Sequence, residues 1–224
     1  MDRSLFLTAA AAVVYATTVA AWFFVTQMAI GKRVRGPFPL STVVILVVTT
    51  GITALQFLND EVLPSLERHP GDLQHWRLWK LFTPLFVQGD GWDGMLFNTL
   101  AFLFVAFTAE RVYGRRRMLL MYFIPGLIGQ LFGFWWTDHG AGNSVAIAGL
   151  IGGFWVVELV YTHRLPSIAP QLAWVGIGTA VVLTLLGEMH GPAFLVGAAM
   201  GYVLDRVSPM LPHHADPAAA RSAS

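Results

Sequence analysis

Apolar residues fall in seven long runs separated by short polar stretches, at roughly 5–30, 40–58, 92–109, 116–136, 144–162, 168–187 and 190–207. A bilayer-crossing helix needs about 20 mostly apolar residues, so the pattern predicts seven spans and an all-α polytopic membrane protein. The first run contains an Ala-rich "VAA" that resembles a signal-peptide cleavage site, but its apolar stretch continues through "WFFVTQMAI". That is longer than a signal core, so the run is read as a retained span. The Pro/Ala/Ser-rich tail from 208 is expected to be disordered. The organisation expected is an extra N-terminal helix with its loop (1–36), a membrane domain (37–207) and a cytoplasmic tail (208–224).

The connections alternate in charge. "GKRVRG" at 31–36 and "ERVYGRRR" at 110–117 are basic, and "THR" at 162–164 and Arg206 add positive charge on the same side. In 59–91 acids outnumber bases, 137–143 holds Asp138 and 186–191 holds Glu188. Basic loops stay cytoplasmic, which puts the N-terminus outside and the C-terminus inside, in a cell (plasma or inner) membrane. Composition agrees: 55% of the 224 residues are hydrophobic and 12% charged, about half the charge of a soluble domain. With no cysteine, thiolate nucleophiles and thiolate metal sites are excluded. No phosphate-binding glycine loop or His-Glu-x-x-His motif is present, so no cofactor, metal or nucleic acid is implied.

This topology brings three polar groups to one depth near the outer face. Ser144 opens the fifth span, His190 opens the seventh, and Asn98 lies about two turns into the third. Serine becomes nucleophilic when a base such as histidine takes its proton, and an oxyanion needs fixed donors such as an Asn amide or backbone N–H groups. Each residue also has a plain structural use. Ser144 is a preferred N-cap for the run that follows "GN", a role compatible with nucleophilicity because the helix dipole favours negative charge there. His190 before Gly191–Pro192 suits a helix start, and Asn98 suits interhelical bonding. Asp138–His139 read as solvated loop residues, and Glu158, near a cytoplasmic helix end, is expected to snorkel. The pairs Gly129/Gly133, Gly149/Gly153 and Gly197/Gly201, each four apart, predict close helix packing.

Five spaced segments stand out: "HWRLWKLFTPLF" (75–86), "GMLFNTLAF" (94–102), "ERVYG…MYFIPG" (110–126), "GNSVAIAGLIGG" (142–153) and "HGPAFLVGAAMG" (190–201). On these segments the chain, from about 72 to 207, resembles the rhomboid intramembrane serine proteases. The resemblance implies a six-helix core plus the extra helix, and a Ser144–His190 dyad in a water-filled cavity open to the outer face. Asn98 would be the oxyanion donor, Gly142 and Gly197 would be supporting glycines, and Glu110 would be structural. Four positions depart from the family pattern: Gly94 stands for a His, Val145 for a Gly, Ala148 for an aromatic, and Gln88 for a His. Val145 would be strained at positive φ, or would narrow the cavity if helical.

The expected function is therefore a serine endopeptidase acting on transmembrane substrates from within the bilayer. The alternative is a pseudoprotease of the same fold that binds or sorts transmembrane clients or serves as a subunit of a membrane complex. A transporter would carry charge pairs at the bilayer midplane, and the ionisable residues here cluster at helix ends.

Overall fold

The computed structural model describes residues 3–31, 38–89 and 91–209. Most of the basic loop 31–36 and the tail beyond 209 lie outside the described residues. Eight α-helices are present among them: α1 (Arg3–Gly31), α2 (Leu40–Leu58), the short α3 (Val62–Leu66), α4 (Gly91–Tyr113), α5 (Arg115–Trp136), α6 (Ser144–Val160), α7 (Ile168–Leu185) and α8 (His190–Val207). Five of them are long and apolar enough to cross a membrane: α1, α2, α4, α5 and α7. With α6 and α8 they form the bundle of a multi-pass membrane protein.

α6 is the centre of this bundle. It packs on α8, α5, α7, α4 and α1, and every residue from Val145 to Glu158 is buried. A helix apolar on all sides suits an interior position, and its glycines set how close the neighbours come. A Cβ on Gly197 would overlap the Gly149 carbonyl, and one on Gly152 would overlap the Phe194 carbonyl, so α6 and α8 touch backbone to backbone. On the other side, Gly149 lies against Pro125 and the Met121 carbonyl of α5. Ser144 and His190 begin the two helices in closest contact.

The central position of α6 also corrects the expectation for Glu158. This residue is fully buried, with both carboxylate oxygens lacking a hydrogen-bond partner among the described residues. Surrounded by other helices, it has no lipid-facing groove along which to snorkel.

Glu110, near the end of α4, holds the start of α2. Its Oε1 accepts the Ser41 N–H at 3.1 Å, and its Oε2 accepts the Thr42 N–H and hydroxyl, both at 2.8 Å. α2 follows Pro39 and has no side-chain cap of its own, so the carboxylate satisfies N–H groups that a helix start leaves unpaired. Arg115 reaches the same carboxylate at 3.4 Å. Glu110→Ala should cost about 2–3 kcal/mol, the scale of hydrogen bonds to a charged group, seen as a lower unfolding midpoint in detergent with α4 otherwise intact.

Candidate active site

The loop that delivers Ser144 is pinned from below by a residue whose role was not apparent in the sequence. Arg68, fully buried, donates to Gln130 Oε1 (3.1 Å), the Gly133 carbonyl (2.7 Å), Thr137 Oγ1 (2.6 Å) and the His139 carbonyl (3.1 Å). It thereby satisfies carbonyls at the end of α5. Backbone pairing of Arg68 with Gly140, at 2.9 and 3.0 Å, ties the first long loop to the segment before α6. Burial lowers the Arg68 pKa to about 10, against the pull of Asp72, so the guanidinium stays charged at neutral pH. Asp138–His139 stay in this loop, where His139 meets His69 at 3.2 Å instead of Ser144.

Gly142, at φ +123°, makes the turn into α6, and its N–H donates to the Pro84 carbonyl at 2.9 Å. A left-handed φ there favours glycine. Asn143, and not Ser144, occupies the N-cap position, and no side chain caps the helix. The expectation that Ser144 is the cap is thus corrected: Ser144 is the first helical residue, and its hydroxyl turns to another partner. That partner is His190, with Ser144 Oγ 2.9 Å from His190 Nε2.

The other imidazole nitrogen is also engaged. Glu188 Oε1 lies 2.6 Å from His190 Nδ1, and the same oxygen accepts the His190 backbone N–H at 3.2 Å. Gly187, at φ +75°, turns the chain between α7 and α8 so that this carboxylate folds back on the ring. Burial raises the Glu188 pKa, but hydrogen bonds and charge from His190, with the Met189 N–H, outweigh that and leave it below the ordinary glutamate value. An ionised carboxylate only accepts, so Nδ1 carries the proton and Nε2 is left to accept from Ser144. Sequence reading placed Glu188 among the acids of an outer loop and gave it no chemistry; its spacing of two from His190 was the available signal.

Asn98 is buried, and its Nδ2 donates to Gln88 Oε1 at 2.7 Å, while Gln88 Nε2 reaches Asn143 Oδ1 at 3.3 Å. Gln88 is itself held by Gln56 through its backbone N–H at 3.1 Å. The residue standing for a family histidine therefore orients Asn98. A carboxamide nitrogen has two hydrogens, so Asn98 keeps one for a second acceptor.

Asn98, Ser144, Glu188 and His190 line one cavity of about 480 Å³, with Gly94 and Ala148 also on its wall. Both of these small residues leave space where the family carries larger ones. Val145 is helical, not at positive φ, and it is absent from the cavity lining; its buried side chain instead packs over Gly129 of α5. It neither strains the turn nor narrows the cavity.

Residues 75–208, more than half of the chain, match the family model of the rhomboid domain. The chain belongs to the rhomboid family. It is 39% identical over 82 residues to rhomboid protease GluP of Bacillus subtilis, covering 36% of this chain and 16% of that protein. It is 28% identical over 142 residues to RHOMBOID-like protein 4 of Arabidopsis thaliana, covering 61% of this chain and 35% of that protein. The chain thus spans well under half the length of these two curated relatives.

Proposed function

We propose that this protein is an intramembrane serine endopeptidase that uses a Ser144–His190–Glu188 relay. The observation that carries the reading is the pair of short contacts on the two sides of one imidazole, 2.9 Å to Ser144 and 2.6 Å to Glu188. In this reading His190 Nε2 takes the Ser144 proton as Oγ attacks a peptide carbonyl. A C–O bond forms, the carbonyl π electrons move onto oxygen, and Glu188 stabilises the imidazolium. The oxyanion then re-forms the C=O bond as the C–N bond breaks, and His190 gives its proton to the leaving amine, leaving an acyl-enzyme on Ser144. Water repeats the cycle, with His190 as base and then acid, and releases the new carboxylate.

Asn98 Nδ2 and the backbone N–H of Ser144, which as the first helical residue has no intrahelical acceptor, would hold the oxyanion. Asn98→Ala should slow reaction with a fluorophosphonate by about 10²–10³-fold, measured as a rate of Ser144 labelling on protein that remains folded, with a lower unfolding midpoint because the buried Gln88 Oε1 loses its donor. The basic residues at the end of the bundle opposite the nucleophile support the orientation read from charge. Arg115, Arg116 and Arg117 begin α5 and Arg206 ends α8, so the site lies toward the outer face of a cell membrane if basic ends are cytoplasmic. The domain division fits the same reading, with 37–207 carrying the chemistry and α1 added to it.

Comparing new protein termini in cell membranes that express the wild type or Ser144→Ala tests the function. The protease reading expects termini within or beside transmembrane segments on the outer side, present only with the wild type. Identical terminal sets, with membrane proteins co-purifying equally with both, would instead favour a client-binding pseudoprotease.

A further inference from the structure

α1 forms one wall of the dyad cavity. Thr8, Ala11, Tyr15 and Thr18 of this helix line the same cavity as Ser144 and His190. α1 packs on α7 on one side, on α4 on the other and on α6 behind, whereas α4 and α7 barely touch each other. A space one helix wide therefore leads from the bilayer to the nucleophile, and α1 fills it.

α1 sits there in a defined register. It runs parallel to α4 with Tyr15 edge-on to Phe97 and Trp22 edge-on to Phe104, both at 5.4 Å between ring centroids. Thr26 Oγ1 and Thr108 Oγ1 are 3.1 Å apart, and the Trp22 indole N–H reaches Thr108 Oγ1 at 3.2 Å. Its buried stripe, Ala10, Val14, Thr17, Ala21, Val25 and Met28, is mostly small, so removing it uncovers little large apolar surface. Only 28% of its apolar window is buried, the same share as for α7 and less than the 44% of α4 and α5. Between helices in lipid there is no hydrophobic drive to hold such a face; packing and a few polar contacts do so.

We infer that α1 is an in-chain occupant of the substrate-docking groove. A transmembrane substrate helix reaches Ser144 by displacing α1 and seating parallel to α4 in its place. The inference rests on the protease reading for its consequence, though the displacement itself does not need catalysis. The groove selects a single membrane-spanning helix whose N-terminus lies at the site end, with small and hydroxyl-bearing residues at the depth of Thr8, Ala11 and Thr18.

The cysteine-free sequence allows a direct test. The full-length chain with Thr26→Cys and Thr108→Cys is placed in liposomes with a synthetic peptide of residues 3–31 that carries a benzophenone side chain at position 15. When reduced, illumination should cross-link the peptide to α4 near Phe97. When oxidised, the disulfide holds α1 in place, and cross-linking should fall at least tenfold. Fluorophosphonate labelling of Ser144, by a small probe arriving from water, should persist in both states. Should the double variant fail to fold, Ala21→Leu in the otherwise unaltered chain provides the opposite perturbation. It wedges a fully buried position and should raise cross-linking several-fold over wild type. Cross-linking that ignores the disulfide, or is absent in the reduced state and unchanged by Ala21→Leu, would show α1 to be a fixed wall. Loss of labelling in both redox states would count against the protease reading alone, because cross-linking still decides whether α1 is displaced.

Discussion

Glu188→Gln is expected to slow fluorophosphonate labelling of Ser144 by about 10²–10⁴-fold, as loss of the orienting carboxylate does in soluble triads. The amide keeps the shape but removes the charge, and it can present a hydrogen to Nδ1, favouring the tautomer that points a proton at Ser144. Rescue by the conservative variant separates this role from a structural one. Glu188→Asp should restore part of the rate. Since the Glu188 pKa is depressed on folding, the contact contributes stability above the ordinary glutamate pKa, and that stability is lost as pH falls through the lowered value. A merely structural residue would lower the unfolding midpoint without slowing labelling of the protein that remains folded.

Gly197→Ala is the second large effect expected. The added carbon would overlap the Gly149 carbonyl where α8 meets α6, and overpacking of this kind costs about 1–3 kcal/mol. The helices can relieve it only by separating, and Ser144 and His190 sit at their adjoining ends. A shift near 1 Å between reacting groups costs about 10²-fold, so labelling should fall by at least that much while the protein remains folded. Gly178→Ala on α7, where nothing lies within 4 Å of the new carbon, is the control and should leave both the unfolding midpoint and labelling near wild type.

The helices were legible because a membrane imposes length and apolarity together. The seven runs in the sequence fall within a few residues of α1, α2 and α4–α8. The place of each helix was less legible. α6 is apolar on all sides, and a residue that faces lipid and one that faces the core look alike in sequence when both surroundings are hydrocarbon. For the same reason nothing in α1 revealed that it would lie against the dyad. Ser144, His190 and Asn98 could be singled out because polar groups near a span are costly and these three shared one depth. Glu188 could not, since a carboxylate in an aqueous loop is ordinary until the Gly187 turn folds it onto the imidazole. Arg68 was hidden likewise: half of its side-chain partners are backbone carbonyls, which leave no mark on side-chain pattern.

The departures from the family pattern take on local meaning in this packing. Gln88 orients Asn98, Val145 fills the space over Gly129, and Glu188 steadies the histidine, beside which Ala148 supplies no aromatic ring. Gly94, like Ala148, is a small residue on the cavity wall.

The central claim is that Ser144 is an activated nucleophile, and fluorophosphonate labelling of the purified full-length chain in detergent tests it most directly, with the adduct located by peptide mass spectrometry. The predicted result is a single adduct on Ser144, absent from Ser144→Ala and reduced at least a thousandfold in His190→Ala. No adduct on folded wild type, under conditions where another rhomboid protease is labelled, would contradict it.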